Sequence, residues 1–381
     1  MEKSRLAQAD EKGVPWRQWG PYLSERQWGT VREDYSQGGN AWDYLTHEAA
    51  RSHVYRWGED GLGGISDDQQ RLCFALALWN GKDPILKERA FGLTNSEGNH
   101  GEDVKEYYFY LDNTPTHSYM KYLYKYPQAA FPYTDLVATN RSRTRRDFEY
   151  ELLDTGIFDE DRYFDVFVEY AKASPEEILV EITVANRGPE AATLHVLPTL
   201  WFRNTWSRPF QSDGPLPELR PAESPAGMSV IRAHHAELGD WYLYGKEAEL
   251  LFCDNESNIY KHPAEQPSTN YYKDGIHEYV VHGNREALRP GNFGTKASFQ
   301  YVLEVPAGGE SKLRLRLCKT PPDAPQLAAA RQVFLGAAFE QVLTARRDEA
   351  DQFYTNLAPK ALSAEEKRVY RQALAGMLWS K

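Results

Sequence analysis

A large antiparallel β-sandwich with its helices confined to the C-terminal end is the fold class this sequence predicts. Two textures and one boundary carry the prediction. From about residue 64 to 320 the chain is a succession of short runs rich in aromatic and β-branched residues, as strands require. Long polar insertions separate these runs, few helical patterns interrupt them, and no internal repeat is evident. After residue 320 the texture changes to Ala, Gln and Arg with helical propensity.

Taken in order, the strand-like runs begin with LCFALALW (72–79), EYYFYL (106–111), YFDVFVEYA (163–171) and EILVEITVAN (177–186). ATLHVLPTLWF (192–202), MSVIRAH (228–234), WYLYG (241–245) and LLFC (250–253) follow, then FQYVLEV (299–305) and KLRLRLC (312–318). The last alternates strictly, as a strand with one wet face should. NRGPE (186–190) and PAGGES (306–311) are turn signals between neighbouring runs. The tract 95–127 opens Gly-rich and polar and ends in tyrosines. It reads either as a ligand-reaching loop around Asn99, His100, Glu102 and Asp103 or as a long hairpin whose tyrosines cover the sheet.

PPDAP (321–325) is a Pro-rich joint. Beyond it Phe334, Ala337, Ala338, Gln341 and Ala345 recur at helical spacing, with Phe353 extending the stripe until Pro359 interrupts it. Ser363-Ala-Glu-Glu366 is a capping box that starts a second helix. That helix carries Val369, Tyr370, Leu374, Met377 and Leu378 on one side. If nothing covered it, Leu374, Met377, Leu378 and Trp379 would form an exposed apolar patch, so the helix is expected to pack on a further domain or to fold back on the sandwich.

Composition narrows the function. The chain has 381 residues, 41 % hydrophobic and 13 % aromatic, with 24 Tyr and 10 Trp, enough for a sizeable core. A net charge of −11 argues against a nucleic-acid partner, which needs clustered cations. The one basic run, RSRTRR (141–146), reads as a solvated loop paired to acidic neighbours. Cys73, Cys253 and Cys318 sit in apolar runs, as buried free thiols of a reducing compartment do. The first fifteen residues are charged and lack an apolar h-region, and no apolar run approaches the ~20 residues that cross a bilayer, so a cytoplasmic location without membrane contact is expected.

The richest stretch chemically is WRQWGPYLSERQWGTVREDYS (16–36). Its three tryptophans and two tyrosines are interleaved with Glu25, Arg26, Gln27, Arg32, Glu33 and Asp34. So many charges suit neither a buried strand nor, with so many aromatics, a disordered tail. A shaped polar cavity fits, with flat rings stacking on a ligand and forked donors and carboxylates gripping hydroxyls; a sugar is the natural ligand. No nucleophile elbow, phosphate loop, dinucleotide turn, zinc helix or CxxC pair occurs, and the ten histidines show no metal-ligand spacing. Neighbouring His234 and His235 would point to opposite faces of a strand, and DNESN (254–258) lacks the terminal Glu of a calcium loop. No cofactor or metal is expected.

What remains is carboxylates, in the pairs Glu33-Asp34, Glu59-Asp60 and Glu102-Asp103. Glycosidic hydrolysis needs an acid and a base about 5 to 9.5 Å apart, which two segments could supply but one extended dipeptide cannot. The structural alternative pairs these carboxylates with Arg26, Arg32, Arg56 or Lys105. A sugar-epimerase chemistry would instead need an acid/base pair within a concave sheet, from His195, His234 or His235 with Glu181 or Asp165.

The tracts WGPYLSERQWGTVREDYS (19–36), RWGEDGLGGISDDQQRLCFALALWNGKDPILKERAFGLTNSEGNHGEDVKEYYFYLDNTPTHSYMKYLYKYPQ (56–128) and LPTLWFRNTW (197–206) resemble bacterial proteins of glycoside hydrolase family 63. That family includes processing α-glucosidases and the related mannosylglycerate hydrolase-like enzymes. The resemblance implies an N-terminal super-β-sandwich, a helical linker and an (α/α)6 barrel whose two carboxylates hydrolyse the substrate with inversion. On this chain it implies a disordered tail at 1–15, a sandwich with sugar-pocket loops at 16–320, a linker at 321–360 and the first barrel helix at 361–381. The catalytic acid and base are then expected beyond Lys381, on a C-terminal catalytic domain that would be this chain's partner along with the carbohydrate. Arg26, Trp28, Arg32, Glu33 and Asp34, then His100, Glu102 and Asp103, are the substrate-binding candidates, with a domain-interface role as their alternative. A non-catalytic carbohydrate-binding sandwich is the second functional class.

Overall fold

The computed structural model describes residues 1–22, 47–54, 60–93, 97–100, 103–207, 214–263, 269–325 and 334–380. The elements open with helix α1 (Glu2–Lys12), strand β1 (Trp19–Tyr22), the short helix α2 (His47–Ala50), β2 (Leu62–Asp67) and β3 (Leu72–Trp79). Then come β4 (Gly92–Leu93), β5 (Asp103–Val104), β6 (Tyr107–Asn113), β7 (Tyr119–Pro127) and α3 (Tyr133–Ser142). The central strands are β8 (Tyr163–Ser174), β9 (Glu177–Asn186), β10 (Ala192–Phe202), β11 (Glu218–Pro221), β12 (Met228–His235), β13 (Gly239–Lys246) and β14 (Glu249–Cys253). Helix α4 (Gly275–His282), β15 (Lys296–Val305), β16 (Glu310–Cys318), α5 (Ala337–Leu357) and α6 (Ala364–Trp379) complete the chain.

The strands form a six-stranded sheet, β1-β2-β3-β10-β15-β14, and an eight-stranded sheet, β11-β12-β13-β16-β9-β8-β7-β6; β4 and β5 pair separately. Among the described residues, every strand pairing in the two large sheets is antiparallel. Alternation decides which residues meet between the sheets. From β10, Leu194, Val196, Leu200 and Phe202 enter the shared core, where they join Val166, Val168, Val180 and Ile182 of the other sheet. Trp19 and Trp241 bridge the layers with ring centroids 4.9 Å apart. The 95–127 tract contributes the β6–β7 hairpin, whose Tyr122, Tyr124 and Tyr126 are fully buried.

His195 lies between inward residues and therefore faces outward on the six-stranded sheet, while Asp165 and Glu181 face outward on the eight-stranded one. Asp165 is taken up by Lys125 and Arg187, and Glu181 by Arg314 and Arg347. His195 is thus on the opposite face from both carboxylates, and His234, on the outer face of the eight-stranded sheet, is taken up by Asp240 (2.7 Å). The three cysteines are buried free thiols; burial pushes Cys253 up to about 12 and Cys318 up to about 11.

Two local expectations are corrected, and for α6 one of the two stated alternatives is observed. Residues 2–12, expected to be disordered, form α1. Their charges have tertiary partners: the buried Glu2 carboxylate accepts from Thr116 N (2.8 Å), Thr116 Oγ1 (2.7 Å) and Ser118 Oγ (2.7 Å), while Arg5 bridges Glu2 to Glu349 of α5. On α5 the buried face is Phe339, Leu343, Ala350 and Tyr354, not the Ala337–Gln341–Ala345 stripe, because the larger side chains bury more apolar area against β7 and β8. Helix α6 begins with the expected capping box, Glu366 N donating to Ser363 Oγ and Ser363 N to Glu366 Oε2. Its apolar face, however, is partly covered. Trp379 is 1 % exposed, stacks on Tyr110 at 5.4 Å and donates from Nε1 to Asp112 O (2.8 Å). The helix shields β6, an edge strand whose unpaired backbone needs cover. Val369 and Met377 stay exposed.

Candidate functional site

The outer face of the six-stranded sheet is where the three family-like tracts meet. Tyr22, last residue of β1, presents its ring edge to Trp201 of β10, with centroids 5.6 Å apart. Gly61 has φ +95° and lies so close to β3 that a Cβ would sit 2.2 Å from the Ala75 Cβ, which only glycine permits. That contact presses the preceding Asp60 onto the sheet. Glu88 is tied in by its backbone, since its carbonyl accepts from Gly61 N.

Two buried ammonium groups organise this face. Lys273 Nζ pairs with Asp60 Oδ2 (2.7 Å) and donates to His53 O (2.8 Å) and Ala50 O (3.2 Å). Lys296 Nζ, from the first residue of β15, pairs with Glu88 Oε2 (2.9 Å) and donates to Lys273 O (3.2 Å). Burial works against the charge of Lys296, but the carboxylates of Glu88 and Asp60 outweigh it and hold the ammonium above its ordinary range. Each carboxylate keeps one buried oxygen, Asp60 Oδ1 and Glu88 Oε1, without a hydrogen-bond partner among the described residues. The two residues are 8 % and 6 % exposed, so these oxygens are costly to leave unpaired and suited to accept from a donor brought onto the face.

The rim is stitched by short polar contacts. Asn204 Nδ2 donates to Asn255 O (2.8 Å), Asn255 Nδ2 to Phe202 O (2.9 Å) and Trp206 Nε1 to Glu256 Oε1 (2.9 Å). The DNESN segment is therefore a turn that anchors the LPTLWFRNTW tract. Burial raises the Asp254 carboxyl, against which Arg289 pulls it down. On the far side His47 stacks on Tyr133 (4.6 Å) and is kept neutral by burial and then by Arg89, Lys87 and Arg51.

Among the described residues, one group of His and acidic side chains could approach a metal: His277, Glu278 and His282, with ligand atoms within 4.8 Å of one another. It does not suit a dication. Arg51 Nη1 lies 3.4 and 3.3 Å from the two His277 ring nitrogens, and burial, then Arg51, His282, Lys261 and Lys296, push that imidazole down to about 2.

Of the sequence-derived candidates, Arg26, Trp28, Arg32, Glu33, Asp34 and Glu102 lie outside the described residues, as does Glu59. His100 is exposed on the loop before β5, and Asp103 pairs through its backbone with Leu93. Asp60 is paired with Lys273, which was not among its expected partners; Lys105 instead pairs with Glu149. Tyr22 and His47, the described residues on either side of 23–46, both lie over strand β3 or its flanking loop, through Trp201 and Ala75 for the first and Phe91 and Arg89 for the second. Glu88, Lys273 and Lys296 escaped the sequence reading because charged residues ordinarily mark exposure. The available signal was a charged triplet, Lys87-Glu88-Arg89, wedged between apolar residues, and all three are buried.

No family model matches the chain. It is 42 % identical over 417 residues to the Saccharomyces cerevisiae protein named "Uncharacterized protein YMR196W", covering 100 % of this chain and 38 % of that protein. The chain thus spans well under half the length of that relative. Among solved structures it is similar to a polysaccharide lyase (9 % identity, TM-score 0.29, 65 % of this chain and 25 % of that one). It is also similar to a galactose mutarotase related enzyme from Lactobacillus acidophilus (8 %, TM-score 0.27, 67 % and 89 %). Likenesses at this level leave both fold and chemistry to be argued from the chain itself.

Proposed function

We propose that this chain is the N-terminal sandwich of an inverting glycoside hydrolase of the α-glucosidase type, acting on oligosaccharides or small glycosides. The observation that supports the reading is convergence: the tracts at 19–36, 56–128 and 197–206 deliver Tyr22, Asp60, Glu88 and Trp201 to one face. In this reading the sandwich buttresses an (α/α)6 barrel that carries the acid and the base beyond Lys381. It lends that barrel the loop with Arg26, Trp28, Arg32, Glu33 and Asp34, and secondarily His100, Glu102 and Asp103. Trp28 would stack on a pyranose face, and Arg32 with the carboxylates would bind hydroxyls or orient the barrel's catalytic groups.

A second reading, a carbohydrate-binding sandwich without turnover, gains from one observation. Trp379 is buried against β6, so α6 does not demand a further domain to cover that residue. Glucose release from α-glucosides and short glucans, followed by calorimetric titration of the same sugars, separates the readings. The 381-residue chain should release no glucose and bind only weakly. Turnover abolished by Glu33→Gln, Asp34→Asn, Glu102→Gln or Asp103→Asn would refute the barrel assignment. Firm binding without turnover would favour the binding module.

A further inference from the structure

A second polar groove runs across the end of the sandwich, where hairpins of both sheets approach one another. It consists of two cavities of about 420 and 480 Å³ that share Gln69 and Arg203. Each falls in the size range of a small-ligand pocket. One is bounded by Arg71, Trp206, His235 and Glu237, the other by Arg17, Gly20, Gln70 and His117.

The groove's walls are fixed in place. Trp206 is partly exposed, and its Nε1 is held by the buried Glu256 while its backbone N–H donates to Asn204 Oδ1 (3.2 Å), so the indole stands at one end. His235 lies against Phe202 with centroids 5.8 Å apart, and its Nδ1 accepts from Glu237 N (3.1 Å). That bond assigns the proton to Nε2, a donor. At the other end His117 Nδ1 bonds to Asn113 Oδ1, an acceptor, at 3.0 Å, so Nδ1 carries the proton and Nε2 is left as an acceptor. Burial, then Lys172 and Arg17, keep His117 neutral, down to about 3; burial and then Arg71 likewise favour neutral His235. Of the three guanidiniums, Arg17 is matched by Asp10 (2.7 Å) and Arg71 by Glu237 and Asp67; the third, Arg203, lines both cavities. Asp67 itself is spent on the β2–β3 turn, accepting from Gln69, Arg71 and Leu72 backbone N–H groups.

Neutral imidazoles that offer a donor at one end and an acceptor at the other, Arg17 and Arg71 already paired, amide side chains and a fixed indole suit groups that both donate and accept. Hydroxyls do this without bringing a charge; ionised carboxylates only accept, and phosphates bring an anion that the paired Arg17 and Arg71 do not call for. We propose that this groove binds a neutral oligosaccharide, with a sugar ring against Trp206 and the chain running toward His117. The proposal extends the carbohydrate reading to a second site and does not require the Asp60–Glu88 face to hold sugar.

The test is calorimetric titration of the whole chain with maltotetraose, cellotetraose and mannotetraose, with inorganic phosphate as the anionic probe. Trp206→Ala should weaken the best saccharide at least tenfold, and His235→Phe, which keeps the ring packing on Phe202 but loses the Nε2 donor, roughly tenfold. Asp60→Asn should leave that affinity unchanged. Binding insensitive to both groove variants but lost in Asp60→Asn would overturn the groove while leaving the carbohydrate reading intact. Phosphate bound more tightly than every saccharide, or no saccharide bound at all, would also overturn it; the glucose-release assay decides the hydrolase reading independently.

Discussion

Replacing Trp379 by alanine asks whether α6 belongs to the sandwich or merely follows it. A buried indole removes about 150–250 Å² from water, and at ~25 cal/mol per Å² this corresponds to roughly 4–6 kcal/mol. The hydrogen bond from Nε1 to Asp112 O adds about 1 kcal/mol. Measured Trp→Ala changes in cores, about 3–5 kcal/mol, agree with that sum once partial collapse is allowed for. The loss has a ceiling, because α6 is a 16-residue peripheral element and the sandwich can shed it. Once Trp379 is gone, Arg371 still ties the helix to Asp112 of β6 and to Asp351 of α5, and Ala375 remains buried. The expected outcome is therefore local: trypsin should cut at Lys360, Lys367 and Arg368 at least tenfold faster, while the sandwich's own urea transition shifts little. Unchanged cleavage and unchanged stability would refute the docking argument. A full 4 kcal/mol loss in the sandwich transition without faster cleavage would show that Trp379 is integral to the core and that the helix is not detachable.

Lys296→Met leaves the Glu88 carboxylate buried without its cation, which should destabilise the chain by about 3–5 kcal/mol in urea. The double variant Lys296→Met/Glu88→Leu should recover most of that, and failure to recover would show that packing rather than charge pairing was lost. Asp83 is 2 % exposed, and burial raises its carboxyl to about 6, with Lys87 and the Tyr126 hydroxyl pulling the other way. Since the folded-state value lies above the ordinary 3.8, its favourable contribution is complete below the unfolded value and is lost as pH rises through the folded one. The ionised form then costs up to roughly 3 kcal/mol. Asp83→Asn should accordingly raise the melting temperature at pH 8 and do little at pH 4; an equal gain at both would refute ionisation as the cause.

Much of the scaffold was legible because strand periodicity is local. Residues 72–79, 177–186 and 192–202 carry enough aromatic and β-branched side chains to fix β3, β9 and β10 to the residue. The Ser363–Glu366 capping box likewise announces α6 within a single turn. Strand β2 was hidden by Gly63 and Gly64, whose lack of side chains hides a strand from propensity while allowing close approach to Tyr122 and Tyr22. Helix α4 is short, and its buried Ile276 and Val280 acquire meaning only against Leu197 and Leu251 of the sheet.

The site divides in the same way. That residues 16–36 mix rings with charges, and that carboxylates are the leading chemistry once the motifs of other classes are missing, is written in residue types and needs no coordinates. Which carboxylates are buried, and with which cation, depends on contacts between residues 208 positions apart in one pair and more than 200 in the other. No local pattern encodes such contacts. The same holds for Glu2, which reads as tail charge in sequence and is buried only because Thr116 and Ser118 turn toward it. Sequence by itself determined the layers, because burying alternate side chains is a nearest-neighbour problem. Only the tertiary structure decided which charges those layers enclose, because a buried charge is tolerated solely where a distant segment supplies its partner.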